Sequence, residues 1–243
     1  LVAGLAFATW TPVLVVLAAA WITAYPMSYF VLALAKDSTA RHPHPERLRR
    51  PLTVWVGIAV PMLVLLVGLR PWLVWPGLVY AAGFAVNIAF ARRRDDRALA
   101  NDVVFIAECS LLVPIVWGVA VTDRSWRLPD LASAPVQLWV MTIAVALLLV
   151  GSTLQVKSLI RERANPAFGR VSRVYATVCV VASMGLAWAW GMPAGLFLVV
   201  PFAWSAGRSF AMVGTSRAPA RIGMIELVGF LLLALPALAL APA

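Results

Sequence analysis

The sequence predicts an all-α, polytopic transmembrane helix bundle of about nine spans. Three observations carry that expectation. The 243 residues are 63% hydrophobic and only 12% charged, whereas a soluble domain is nearer half apolar and about a quarter charged. The apolar excess recurs along the whole chain in runs of roughly 18 residues or more, each long enough to cross a hydrocarbon core of about 30 Å. The runs are rich in Ala, Leu and Val and lack period-two alternation. The backbone groups that lipid cannot solvate are then satisfied within helices rather than in a closed barrel.

Taken in order, Leu1 to about Ala8 reads as the end of a first span, truncated at its N-terminus, before the turn Thr9-Trp10-Thr11-Pro12. Span two runs from about Val13 to Ala35, and span three from about Pro51 to Leu69. The loop between them, Lys36 to Arg50, carries five basic residues with His42 and His44. An Arg70-Pro71 turn leads to span four, about Trp72 to Ala91, and span five is about Asn101 to Val121. Spans six to nine are about Val136–Val156, Val171–Trp190, Ala194–Met212 and Ile222–Leu240. Even the longest loop is too short for a folded soluble domain, so residues 1–243 read as one integral membrane domain. No basic stretch precedes an apolar core with a small-residue cleavage site, so no signal-peptide pattern is visible.

Charge sets the expected orientation. The net charge is +10, and all of the 20 Lys and Arg except Arg70, Arg124 and Arg127 are counted to the loops after spans two, four, six and eight. The positive-inside rule places those loops in the cytoplasm, the N-terminus inside and the C-terminus outside. Trp10, Trp72, Trp75, Trp117, Trp126, Trp139, Trp188 and Trp190 fall near the opposite ends of the spans, where amphipathic rings prefer the interface. The same distribution explains the basic balance without nucleic acid. Cys109 and Cys179 both lie inside spans and read as small packing residues.

The polar centre is expected between Arg92 and Glu108, which holds four arginines, four acids and Asn101. On a helix, Asn101, Phe105 and Glu108 fall at i, i+4 and i+7 and share a face. Asp102 lies at the mouth, with Glu108 roughly 10 Å deeper by helical rise. An intramembrane carboxylate is a functional candidate, so Asp102 and Glu108 are the catalytic candidates, able to hold a cation or take a proton. The alternatives are a helix-dipole role for Asp102 and a packing role for Glu108. Arg94 and Asn101, and the second basic cluster of Lys157, Arg161 and Arg163 with its embedded Glu162, are candidates for binding an anionic group; guanidinium forks suit phosphate oxygens. Their alternative reading is a topology signal and headgroup contact. Tyr175 is placed at the same mouth. Glu226, at the start of span nine, answers one of these arginines or forms a structural ion pair. His-Pro-His-Pro at 42–45 is a weak metal motif and reads as a solvated turn; no metal ligand is assigned. No Ser-His-Asp arrangement, P-loop, CxxC pair or HExxH is present.

The segments Arg92-Arg-Arg-Asp-Asp-Arg, Asn101-Asp102, Val156-Lys157-Ser-Leu-Ile-Arg161-Glu162-Arg163, Tyr175 and Gly223-Met-Ile-Glu226 resemble the YwiC-like family of bacterial inner-membrane proteins. That family usually opens with an Asn-Gln-His-Gly-Ala-Trp segment, which is not in this sequence. More distantly, the nine spans and cytoplasmic polar loops resemble the UbiA-type intramembrane prenyltransferases. That resemblance implies a prenyl pyrophosphate substrate held through Mg²⁺ by clustered carboxylates after spans two and six. The first of those loops here offers only Asp37 and Glu46, the second only Glu162.

The function expected is that of a multi-pass membrane protein with a cytoplasm-facing polar cavity for an anionic lipid or isoprenoid pyrophosphate. If it is an enzyme, it is a prenyltransferase-like lipid-modifying transferase, and only then is Mg²⁺ a cofactor. A small-molecule transporter and a non-catalytic accessory subunit are the alternatives. The partner is the lipid bilayer, with no nucleic acid.

Overall fold

The computed structural model describes residues 1–40, 44–212, 215 and 218–240; Arg41, His42, Gly214 and Arg217 lie outside them. Among the described residues nine α-helices follow one another: α1 Val2–Leu5, α2 Pro12–Asp37, α3 Glu46–Leu69, α4 Val74–Arg92, α5 Leu99–Val121, α6 Val136–Ile160, α7 Pro166–Trp190, α8 Val199–Met212 and α9 Pro219–Leu240. Short 3-10 turns, Pro71–Leu73 and Ala194–Leu198, lead into α4 and α8. Eight of these segments are long and apolar enough to cross a membrane. This is an all-α transmembrane bundle.

The helices run past the apolar spans. α6 continues beyond Val156 to Ile160, and α7 starts at Pro166 rather than Val171. Hydropathy marks how much chain lipid can cover; it does not end a helix at Lys157 or keep one from starting ahead of Arg170, since Lys and Arg are good helix formers. Local chemistry ends it instead. The Glu162 N–H closes back on the Lys157 carbonyl at 2.9 Å. Asn165 then caps α7, its Oδ1 accepting from the N–H groups of Ala167 (3.1 Å) and Phe168 (3.3 Å), with Pro166 in the first turn where no N–H is needed.

Contacts gather into two compact units. The first holds Leu1, Ala8–Glu108 and Ile115–Ala132; the second holds Val2–Phe7, Cys109–Pro114 and Ser133–Ala243. In the first unit α2 packs along α3 and α4. The turn into α4 is fastened to the end of α5 and the segment after it: the Trp72 N–H donates to the Ser125 carbonyl (3.0 Å), its indole to Thr122 Oγ1 (2.9 Å), and Arg70 Nε to the Val119 carbonyl (3.1 Å). Gly118 leaves the space that Trp72 and Pro129 fill. Val54, Val64, Leu78 and Val79 on α3 and α4 stay exposed, as expected of helix faces whose solvent is lipid.

In the second unit α6, α7, α8 and α9 pack on one another, with α1 against α6 and α9. The buried positions of α7 are Gly169, Ser172, Ala176, Cys179, Ser183, Ala187 and Trp190, and those of α9 are Ile222, Glu226, Gly229, Leu233 and Ala237. Both series step by three or four residues and so trace one face of a helix. At one end Leu159, Met212 and Ile222 form a core cluster joining α6, α8 and α9.

Candidate functional site

Of the residues singled out by sequence, Arg94, Asn101, Asp102 and Glu108 lie in the first unit, and Lys157, Arg161, Arg163, Tyr175 and Glu226 in the second.

In the first unit the run after α4 is shaped by capping. Arg94 has φ +59°. Its N–H bonds the Ala91 carbonyl, and the Asp95 N–H bonds the Phe90 carbonyl, each at 3.0 Å. This is a Schellman ending with an arginine at the left-handed position that glycine normally takes. Asp96 then accepts from Lys36 Nζ of α2 at 2.8 Å. The Lys36 hydrogen bond, working against partial burial, holds the Asp96 carboxyl below its ordinary value of 3.8. The Asn101 amide donates to the Asp96 carbonyl at 2.9 Å, which turns its Oδ1 away into a buried position with no partner.

Glu108 lies against α4. Its carboxyl rests on Gly83, where any Cβ would meet Glu108 and would stand 3.2 Å from Val104 Cγ1. The Tyr80 hydroxyl donates to the Glu108 backbone carbonyl at 2.6 Å. Glu108 Oε1 is buried without a hydrogen-bond partner. Phe105, placed on the same face by helical spacing, is 46% exposed, so that face is not uniformly turned inward.

The second unit holds a polar core that sequence reading only touched. Among the described residues Glu226 is paired with Arg208 of α8 rather than with an arginine of the loops. Arg208 had been counted with the loop charges; it is helical and buried, at 6% exposure. Its Nη2 donates to Ser205 Oγ at 3.0 Å. Close by in sequence on the same helix, Ser209 lies 3.4 Å from Ser172, whose hydroxyl donates to Gln155 Oε1 at 3.0 Å. Gly151 of α6 opens the space where Tyr175 and Ser205 approach. Arg208 Nε, Glu226 Oε2 and Gln155 Nε2 are buried without partners. The available signal was the spacing Ser205, Arg208, Ser209, which puts three polar side chains on adjoining positions of one helical face, inside a run too apolar to attract notice.

Tyr175 does not stand open at a mouth. Its hydroxyl donates to the Leu147 carbonyl of α6 at 3.0 Å, stapling α7 to α6. Arg161 and Arg163 are exposed and Lys157 is half-buried, all near the end of α6 where Leu159 packs on Met212. Glu162 accepts from the Asn165 side chain at 3.2 Å and so shapes the turn.

An open groove of about 410 Å³ runs between α8 and α9, lined by Ala203, Trp204, Gly207, Ala211, Met212 and Ile225, with Arg208 in its wall. Among the described residues no three His, Cys, Asp or Glu side chains gather as a metal site.

A family model described as YwiC-like protein matches residues 1–117. Over those residues, just under half of its length, the chain is similar to the YwiC-like family. The YwiC-like stretch runs from α1 into α5 and contains Arg94, Asn101, Asp102 and Glu108; the polar core of α6 to α9 lies beyond it. The chain is similar to a protein of Bacillus subtilis described as uncharacterized protein YwiC, with 33% identity over 123 residues, 49% of this chain and 47% of that protein. It is also 33% identical over 97 residues to a protein of Haemophilus influenzae described as uncharacterized, covering 40% of this chain and 37% of that one. The chain therefore spans less than half the length of these two curated relatives. No solved structure matches it.

Proposed function

We propose that this multi-pass membrane protein binds an anionic amphiphile, a phospholipid or an isoprenoid phosphate, with its headgroup at Arg208 and its chain in the groove between α8 and α9. The observation that carries the reading is a buried guanidinium in the wall of an otherwise apolar groove. An intramembrane charge is expensive and marks function by default. Arg208 gives one nitrogen to Glu226 and one to Ser205, and its Nε has no partner; that donor suits a phosphate oxygen. Lys157, Arg161 and Arg163 supply further positive charge at the end of the unit where Met212 lines the groove. In this reading the basic ends face the cytoplasm of a bacterial inner membrane. Arg94, Asn101, Asp102 and Glu108 lie in the first unit and are not among the residues that line this groove.

The test uses Trp204, which lines the groove. In bilayer nanodiscs, brominated phosphatidylglycerol should quench the Trp204 contribution more strongly than brominated phosphatidylcholine does. That contribution is the difference between the wild type and Trp204→Phe. The preference should vanish in Arg208→Gln/Glu226→Gln, which keeps a polar pair without charge. Farnesyl pyrophosphate added to neutral nanodiscs should compete if the isoprenoid is the occupant. Equal quenching by both lipids, together with no effect of farnesyl pyrophosphate, sinks the reading.

A further inference from the structure

A second feature, in the other unit and independent of the groove, is a seam between α4 and α5 that holds acceptor oxygens with no donors. Glu108 Oε1, Asn87 Oδ1 and Asn101 Oδ1 are all buried and all without a hydrogen-bond partner. Asn87 is 6% exposed, and burying an unpaired amide of this kind costs on the order of 1–3 kcal/mol. Three such oxygens on α4 and the first half of α5 call for a positive partner.

The register brings two of them together. α4 and α5 are joined by the short turn after Arg92 and run antiparallel, and Gly83 lies between Val104 and Glu108. One turn further along α4, Asn87 then falls opposite the first turns of α5, at the level of Asn101 and Asp102. Helical side chains tilt toward the N-terminus of their own helix. In an antiparallel pair Asn87 and Glu108 therefore lean toward each other, into the stretch that Gly83 leaves without a side chain. Tyr80, at i−3 from Gly83, fixes the backbone of Glu108 from the same face.

We infer that the α4–α5 seam binds a small monovalent cation, sodium in exchange with a proton, on Glu108 and Asn87, with Asn101 at its entrance. Oxygen-only ligands select hard cations. One carboxylate among neutral amides balances a single positive charge; a divalent ion held there would bring an uncompensated charge into the membrane. The other titratable and charged groups around the seam are engaged. Tyr80 donates to the Glu108 carbonyl, and Asp102 is one residue beyond Asn101 with interactions of its own. From α2, Lys36 is taken by Asp96, and Trp21 stacks edge-on to Tyr80 at 5.8 Å.

The experiment is labelling with dicyclohexylcarbodiimide, which adds to a protonated carboxyl in an apolar setting, read by mass spectrometry on the peptide containing Glu108. The full chain in nanodiscs should be labelled at Glu108 in the absence of sodium and protected as sodium is added, with potassium at equal ionic strength much less effective. Glu108→Gln should abolish the label. Asn87→Leu should raise the sodium concentration for half-protection by about tenfold or more, the size of losing one contact to a charge. Asn87→Gln, which keeps a neutral amide oxygen, should retain more protection than Asn87→Leu. Labelling at Glu108 that ignores sodium overturns the cation site and leaves a protonated carboxyl. No labelling in any ionic condition overturns it too, because an exchanging cation needs an accessible acid.

Discussion

Arg208 of α8 and Glu226 of α9 are an ion pair buried in the second unit, with side-chain exposures of 4% and 8%. Removing one partner of such a pair leaves the other charge uncompensated and typically costs about 3–5 kcal/mol, whereas removing both is far milder. Arg208→Leu and Glu226→Leu should therefore each lower the unfolding midpoint in detergent sharply, and the double variant should recover much of the loss. Circular dichroism against temperature checks it. A double variant as unstable as the sum of the two singles would mean that the residues do not act as a pair.

The pair also shows where the sequence was legible and where it was not. All eight long helices follow from hydropathy, because lipid leaves backbone polar groups no alternative to a helix. Glu226 stood out as an acid in an apolar run. Arg208 did not, because arginines near a span end are ordinarily topology signals, and only its packing against α9 distinguishes it from them. Gln155, Ser172 and Ser209 were equally silent; small polar side chains are common in membrane helices and gain meaning only when their partners are known. Tyr175 was legible as a polar residue but not as a staple, since the Leu147 carbonyl that it reaches carries no sequence signal. In the first unit Glu108 and Asn101 were visible by charge and spacing. Asn87 was not, because its significance depends on the register of α4 against α5.

Arg94 makes a second prediction. A non-glycine residue in the left-handed region costs roughly 1–2 kcal/mol, part of which glycine's extra freedom in the unfolded chain offsets. With φ at +59° and an exposed side chain, Arg94→Gly should stabilise the protein, by about 1 kcal/mol or less. Arg94→Ala should not. If Arg94 instead serves an anionic ligand, Arg94→Gly weakens binding of phosphatidylglycerol while raising the midpoint, so the two measurements separate the roles.

Lys36 and Asp96 predict a pH dependence. The folded protein holds the Asp96 carboxyl below its ordinary 3.8, chiefly through the Lys36 hydrogen bond. A depressed acid adds stability that is complete above the unfolded value and is lost as pH falls through the folded one. The difference in midpoint between wild type and Asp96→Asn should thus be constant near neutrality and shrink below about pH 4. Both side chains are partly exposed, 40% for Lys36 and 31% for Asp96, so the contribution belongs with surface pairs, at about 0.2–1 kcal/mol. It should fall further in high salt. A difference that grows on acidification contradicts the assignment.

Gly83 offers the sharpest packing test. A methyl group at this position would press on the Glu108 carboxyl and approach Val104 Cγ1. Overpacking of this kind costs typically about 1–3 kcal/mol, so Gly83→Ala should lower the unfolding midpoint even though alanine is the better helix former. The obstacle is the Glu108 side chain, not backbone, and shortening that side chain should lift it. Gly83→Ala/Glu108→Ala should therefore be more stable than Gly83→Ala alone, a coupling that a double-mutant cycle reads directly. If the two substitutions are additive instead, Glu108 does not rest on α4 at Gly83. The register that brings Asn87 level with the start of α5 would then be wrong, and the cation site would fall with it.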